Sequence, residues 1–214
     1  MRLEKLRNLK FSDLNFYHYF FTAYIGLHVT FSILLGNITA FAPDERYPYL
    51  KIFKDFYSKG YEASNLTPAF GDESPPTIFL QILYFPAKVF SYVNFSDLVS
   101  LRLMSISYST AAMFFLIKIA KNNDRDNRLF KFSIIAVSLI PTVFLWSSLG
   151  LRESFLYLEI SAILYFLSRV KDELDLRNLL GLAISVYSLS MTKNYIFILF
   201  LFAFIITLLF FTLV

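Results

Sequence analysis

The sequence predicts an all-α fold: a polytopic membrane helical bundle of about six transmembrane helices, with extracytoplasmic interfacial helices in the first long loop. Three observations predict it. Hydrophobic residues make up 57% of the chain and charged residues 17%, with a mean hydropathy of +0.56; soluble domains average about 45–50% apolar and about 25% charged. Several apolar runs approach or exceed the roughly 18–20 residues that span a hydrocarbon core. The polar segments between them are rich in Lys and Arg, as cytoplasmic loops are. The 214 residues read as one transmembrane domain.

Residues 1–15 carry Arg2, Lys5, Arg7 and Lys10 and form a basic cytoplasmic flank. The apolar run 16–41 is the first span. It is too long for a signal-peptide core and lacks an A-x-A cleavage site. Residues 43–97 form an extracytoplasmic loop. Within it Leu50, Phe53, Phe56 and Tyr57 share one helical face, with Lys51, Lys54 and Lys59 on others, the pattern of an amphipathic interfacial helix. The stretch GDESPP (71–76) ends that pattern. Residues 77–95 have the length of a span, but Pro86 and Lys88 lie near the middle. A lysine at the centre of a spanning helix costs on the order of 3 kcal/mol, so this stretch is expected to lie at the membrane surface or to dip in partway. The remaining spans, within 98–214, fall at 98–120, 132–146, 154–170, 178–192 and 195–214.

With 77–95 outside, residues 1–15, 121–131 and 169–177 face the cytoplasm and hold eleven Lys and Arg in 35 residues; the outer stretch 43–98 holds five in 56, against seven acids. This arrangement satisfies the positive-inside rule. It also gathers Asp44, Glu45, Asp72, Glu73, Arg102, Arg152, Glu153 and Lys193 at the extracytoplasmic face. Ionisable groups at a membrane are expensive, and several that converge mark a functional site. Lys193 follows a helix of about 15 residues, roughly 22 Å long. That sets it at headgroup depth, where a cation suits a lipid phosphate. Glu159, inside a span, is expected to pair with a bundle partner such as Tyr or Ser and receives no chemical role.

Other chemistries are excluded or disfavoured. The chain has no cysteine, hence no disulfide framework and no thiolate metal site. His18 and His28, ten residues apart, are poorly placed to share a metal and read as hydrogen-bonded bundle histidines. The net charge of +4 reflects topology rather than nucleic-acid binding. No Gly-rich phosphate cradle follows a strand, which disfavours a nucleotide site of that kind.

The order of motifs resembles the N-terminal transmembrane module of the GT-C class of polyprenyl-phosphate-dependent glycosyltransferases, of the protein O-mannosyltransferase and aminoarabinose-transferase branch. An acidic D-E-x-x-Y type motif follows the first span, here DERY (Asp44–Tyr47). An interfacial helix and a PP motif come next, here ESPP (Glu73–Pro76). A helix opening of the aRlpS type follows, here SLRLMSIS (Ser100–Ser107). Pro141 precedes a second loop with an acid, Glu153 in SSLGLRE. A short small-residue-rich helix then ends in a T-K pair, here Thr192–Lys193. The resemblance covers roughly residues 20–200. The second acid is glutamate where aspartate is commoner, and family members usually continue for several more spans.

The resemblance implies a bacterial inner or plasma membrane protein with a cytoplasmic N-terminus and an extracytoplasmic site. The donor would be a polyprenyl-phosphate sugar in the membrane lipid, transferred with inversion to an acceptor hydroxyl. Asp44 would be the catalytic base, with Glu45 beside it as an orienting group and Glu73 at the substrate. Arg102, Arg152 and Lys193 would hold the phosphate, and Glu153 would place a divalent cation, Mg or Mn, or the acceptor. Nucleic acid is not an expected partner. Two alternatives stand: a non-catalytic or truncated GT-C-like subunit that scaffolds a second membrane subunit, and a transporter of a lipid-linked intermediate. The transporter would need polar residues through the full bilayer depth, whereas the charges here concentrate at one end.

Overall fold

The structure, a computed structural model, describes residues 11–36, 45–59, 77–122 and 127–213. Regular structure among the described residues is entirely helical. The helices are α1 (Phe11–Leu35), α2 (Lys51–Lys59), α3 (Thr77–Tyr92), α4 (Asp97–Asn122), α5 (Asn127–Leu139), α6 (Pro141–Ser148), α7 (Glu153–Asp172), α8 (Leu176–Thr192) and α9 (Asn194–Leu213), with a π-helical turn, Glu45–Leu50, leading into α2.

Contacts sort the helix ends into two sets. Tyr17 of α1 clusters with Met113 and Ile117 of α4, while Ser32 and Gly36 meet Arg102, so α1 and α4 are antiparallel. α7 runs parallel to α4: the Leu151 carbonyl accepts from Ser105 at 3.1 Å, and the Tyr157 hydroxyl donates to Met113 Sδ at 3.4 Å. α8 returns along α7, from Gly181 against Phe166 to Lys193 beside Glu153. The end of α1, the start of α4, the 149–152 turn, the start of α7 and the end of α8 therefore share one end of the bundle, the rim. Buried Ser105, Ser109 and Ala112 on α4, and Ser154 and Ser161 on α7, keep side chains small where helices pack closely.

Among the described residues two helices are long and apolar enough to cross a membrane, Phe16–Leu35 and Asp97–Ile119; the pair Lys131–Leu139 and Pro141–Ser148, bent by 69°, makes a third if it is one crossing. Length and composition thus support two or three of the six expected crossings. The expected span at 132–146 is broken because Pro141 forces Ile140 into extended geometry (ψ 123°), as the residue before a proline prefers. α1 also ends at Leu35, short of Phe41. Gly36 adopts a left-handed φ of 49° and its N–H turns back to the Ile33 carbonyl at 3.0 Å, a glycine helix stop.

The first loop departs further from expectation. α2 does bury Ile52, Phe53 and Phe56, as its amphipathic pattern requires. α3, however, stands lengthwise against α4 instead of lying across the end of the bundle. An apolar core explains this: Phe79, Leu80, Leu83, Tyr84 and Ala87 pack with Leu101, Met104 and Phe155. Pro86 is accommodated by a single hydroxyl. A proline in a helix has no N–H for the carbonyl four residues before it, here that of Ile82. Tyr108 donates to the Ile82 carbonyl at 2.8 Å and is also 2.9 Å from that of Leu83. Lys88 stays near the helix end, over the rings of Tyr57 at 4.9 Å and Tyr92 at 5.0 Å, a favourable cation–π setting.

Tyr108→Phe should leave the Ile82 carbonyl without this donor and cost about 0.5–1.5 kcal/mol. Pro86→Ala restores the missing N–H, so Pro86→Ala combined with Tyr108→Phe should recover most of that loss. Thermal unfolding in detergent checks this; equal losses in the single and double variants would show that the hydroxyl does not serve the proline gap.

Candidate functional site

The centre of the rim is Arg102, 2% exposed, and Glu45, 1% exposed. Arg102 Nε donates to Glu45 Oε1 at 2.7 Å and Nη2 to Oε2 at 2.8 Å, a bidentate pair. Nη1 donates to the carbonyls of Ser32 at 2.7 Å and Gly36 at 2.8 Å. Those acceptors exist because of local backbone chemistry. The Gly36 N–H bonds Ile33 instead of Ser32, which frees the Ser32 carbonyl. The negative end of the α1 dipole also favours a cation there.

Glu45 Oε1 accepts a further bond, from the Gly150 N–H at 2.8 Å. The 149–152 turn is held from all sides. Ser32 Oγ donates to the Ser148 carbonyl at 2.7 Å and Ser105 Oγ to that of Leu151. Gly150 has to be glycine, since a Cβ there would lie 2.7 Å from Leu101 Cβ. Beside the turn, the Ser148 hydroxyl donates to the Phe144 carbonyl at 2.9 Å, which leaves His28 Nδ1–H as the donor to Ser148 Oγ at 2.6 Å. His28 is a hydrogen-bonded bundle histidine; His18 is exposed.

Three residues beyond Gly150, Glu153 opens α7 and accepts from Lys193 Nζ at 3.0 Å, with side chains 18% and 15% exposed. Arg152 between them is buried. The structure thus brings together Glu45, Arg102, Arg152, Glu153 and Lys193. Asp44 and Glu73 lie outside the described residues. Both oxygens of Glu45 and four N–H groups of Arg102 are engaged within the protein, so neither presents a free face to a ligand. The pair fixes the backbone next to Asp44 instead. Glu153, with an ammonium on Oε1, suits a divalent cation poorly, and among the described residues no three His, Asp or Glu gather as a metal site.

Two features escaped the sequence. A cleft of about 380 Å³ is lined by Phe53, Lys54, Tyr57, Ser58, Lys88, Ser91 and Asp97, with Lys54 3.5 Å from Asp97. Burial, and then the neighbouring Tyr92 phenol, push the Tyr57 hydroxyl above its ordinary pKa. The signal was the aromatic and lysine spacing of α2, whose partner helix could not be named from sequence. The other feature is Glu159, buried between α7 and α8 with Ser188 and Thr192. A lone acid in an apolar run was its only signal.

Arg102→Met should cost about 3–5 kcal/mol, because it strands a buried carboxylate. Arg102→Lys should recover little, since an ammonium cannot bind a carboxylate in two places and cap a helix at once. Wild-type unfolding temperature in Arg102→Lys would contradict the clamp. The chain matches no protein-family model, no curated protein and no solved structure.

Proposed function

We propose that this chain is a membrane glycosyltransferase of the GT-C type, acting at the extracytoplasmic face on a polyprenyl-phosphate sugar, with its helices making about six crossings. The observation that supports the reading is the bonded series Glu45–Arg102, Glu45–Gly150 and Glu153–Lys193 at one end of the bundle. Lipid phosphates sit at headgroup depth, so a charged rim at a helix-bundle end is where such a donor meets protein.

In this proposal Asp44 is the general base that takes the proton of the acceptor hydroxyl. Glu45, anchored by Arg102 and Gly150, positions it. The phosphate is already a good leaving group, and the protein adds positive charge to hold it. Lys193 and Arg152 supply that charge, with Lys193 exchanging Glu153 for phosphate when the donor binds. Glu73 contacts substrate, and Glu153 then receives the acceptor. Arg102 acts as a positioning residue rather than as a phosphate ligand. Attack opposite the phosphate inverts the anomeric centre.

One specific observation favours the second reading, a non-catalytic subunit that scaffolds a partner membrane chain: both described acids of the rim are already paired within the chain, Glu45 with Arg102 and Glu153 with Lys193.

Asp44→Asn should reduce sugar transfer from a polyprenyl-phosphate donor by at least ~10²-fold, the lower end of what a general base contributes, with the unfolding temperature unchanged. Near-wild-type transfer in this variant would remove Asp44 from the chemistry. Absence of transfer by the purified wild type, together with co-purification of another polytopic chain, would favour the scaffold.

A further inference from the structure

Glu159 is 3% exposed and lies inside α7. Six residues separate it from Glu153, which places it about 9 Å deeper along the helix. Its two oxygens are treated very differently. Oε1 accepts from the Ser188 hydroxyl and from the Thr192 hydroxyl, the latter at 2.7 Å. Oε2 is buried and has no hydrogen-bond partner among the described residues.

That asymmetry calls for a positive charge. A buried carboxylate oxygen with neither donor nor counter-ion is among the costliest arrangements in a protein interior. Lys193, next in the chain to Thr192, is bonded to Glu153, so it balances a different carboxylate. Of the other ionisable groups nearby, Tyr108 on α4 already donates its proton to the α3 carbonyls. No side chain described here balances Glu159. The environment suits a cation in a second way. Glu159 meets the last turn of α8, at Ser188 and Thr192, and the C-terminal end of a helix is its negative pole.

We propose that Glu159, Ser188 and Thr192 form a binding site for one small cation taken up from the aqueous phase, either a proton or a sodium ion. The Glu159 carboxylate supplies the charge, through Oε2. The two hydroxyls hold Oε1 and so orient the carboxyl. Occupancy reaches the rim by a short route: Thr192 is bonded to Glu159 and precedes Lys193 directly. With the cation bound, Lys193 has one carboxylate to serve, Glu153. Without it, two carboxylates compete for the same ammonium.

The test uses the full chain, purified in detergent, with infrared spectroscopy and thermal unfolding at fixed pH, sodium being replaced by choline at constant ionic strength. Glu159→Gln is the neutral isostere of an occupied site. If a proton is bound, the wild type shows a protonated-carboxyl stretch that is absent from Glu159→Gln, and sodium changes neither protein. If sodium is bound, that stretch is absent and the wild-type unfolding midpoint rises with sodium, while Glu159→Gln shows no rise. Ser188→Ala keeps the acid and serves if Glu159→Gln does not fold. It should shift the carboxyl stretch in the first case and raise the sodium concentration needed in the second. A wild type with no protonated-carboxyl stretch and no sodium response overturns the site, as does a response that both variants share unchanged with the wild type.

Discussion

One buried guanidinium holds three distant parts of the chain in register. Arg102, on α4, closes the last turn of α1 through two carbonyls and grips Glu45, which in turn holds Gly150. The arrangement answers a problem that a helical membrane bundle sets. Irregular backbone is tolerated at depth only where protein satisfies its polar groups, and the turn at 149–152 is irregular and buried. Ser32, Ser105 and Glu45 satisfy it from three elements. Each part alone carries an unmet charge or carbonyl; together they are nearly saturated.

That saturation changes the meaning of the rim. Charged residues expected to bind a ligand divide into two kinds. Arg102 and Glu45 are closed, about 1–2% exposed, and shape the site. Glu153 and Lys193 remain partly exposed and can exchange partners. A partly exposed ion pair keeps contact with solvent and opens at lower cost than the closed pair, whose separation would strand two buried charges.

Much of the architecture was legible in the sequence, for physical reasons. Apolar runs of span length reveal helices because hydrocarbon admits little else, and α4 was read within two residues at each end, while α1 begins five residues before and ends six residues short of the run that announced it. Lys and Arg bias grouped Glu45, Arg102, Arg152, Glu153 and Lys193 at one end, and their bonds join that same end. Bends and partners were harder to read. Pro86 marked 77–95 as an irregular helix, and the tyrosine 22 positions later that supplies its missing bond could not be foreseen. Pro141 was visible in the sequence, but whether it breaks a helix or only begins one depends on Ile140. For Glu159 a hydroxyl partner was foreseeable by type and not by position, since Ser188 and Thr192 face it only once α7 and α8 pack together.

The account depends on the turn after α1 and the turn before α7 occupying the same side of a membrane. The chain has no cysteine, so single-cysteine variants can be labelled without background. Asp44→Cys, Glu153→Cys and Lys171→Cys, expressed in intact cells or sealed vesicles, should be exposed to a membrane-impermeant thiol reagent. Labelling of positions 44 and 153 from one side and of 171 from the other is the expected result. Labelling of 44 and 153 from opposite sides would contradict the shared rim.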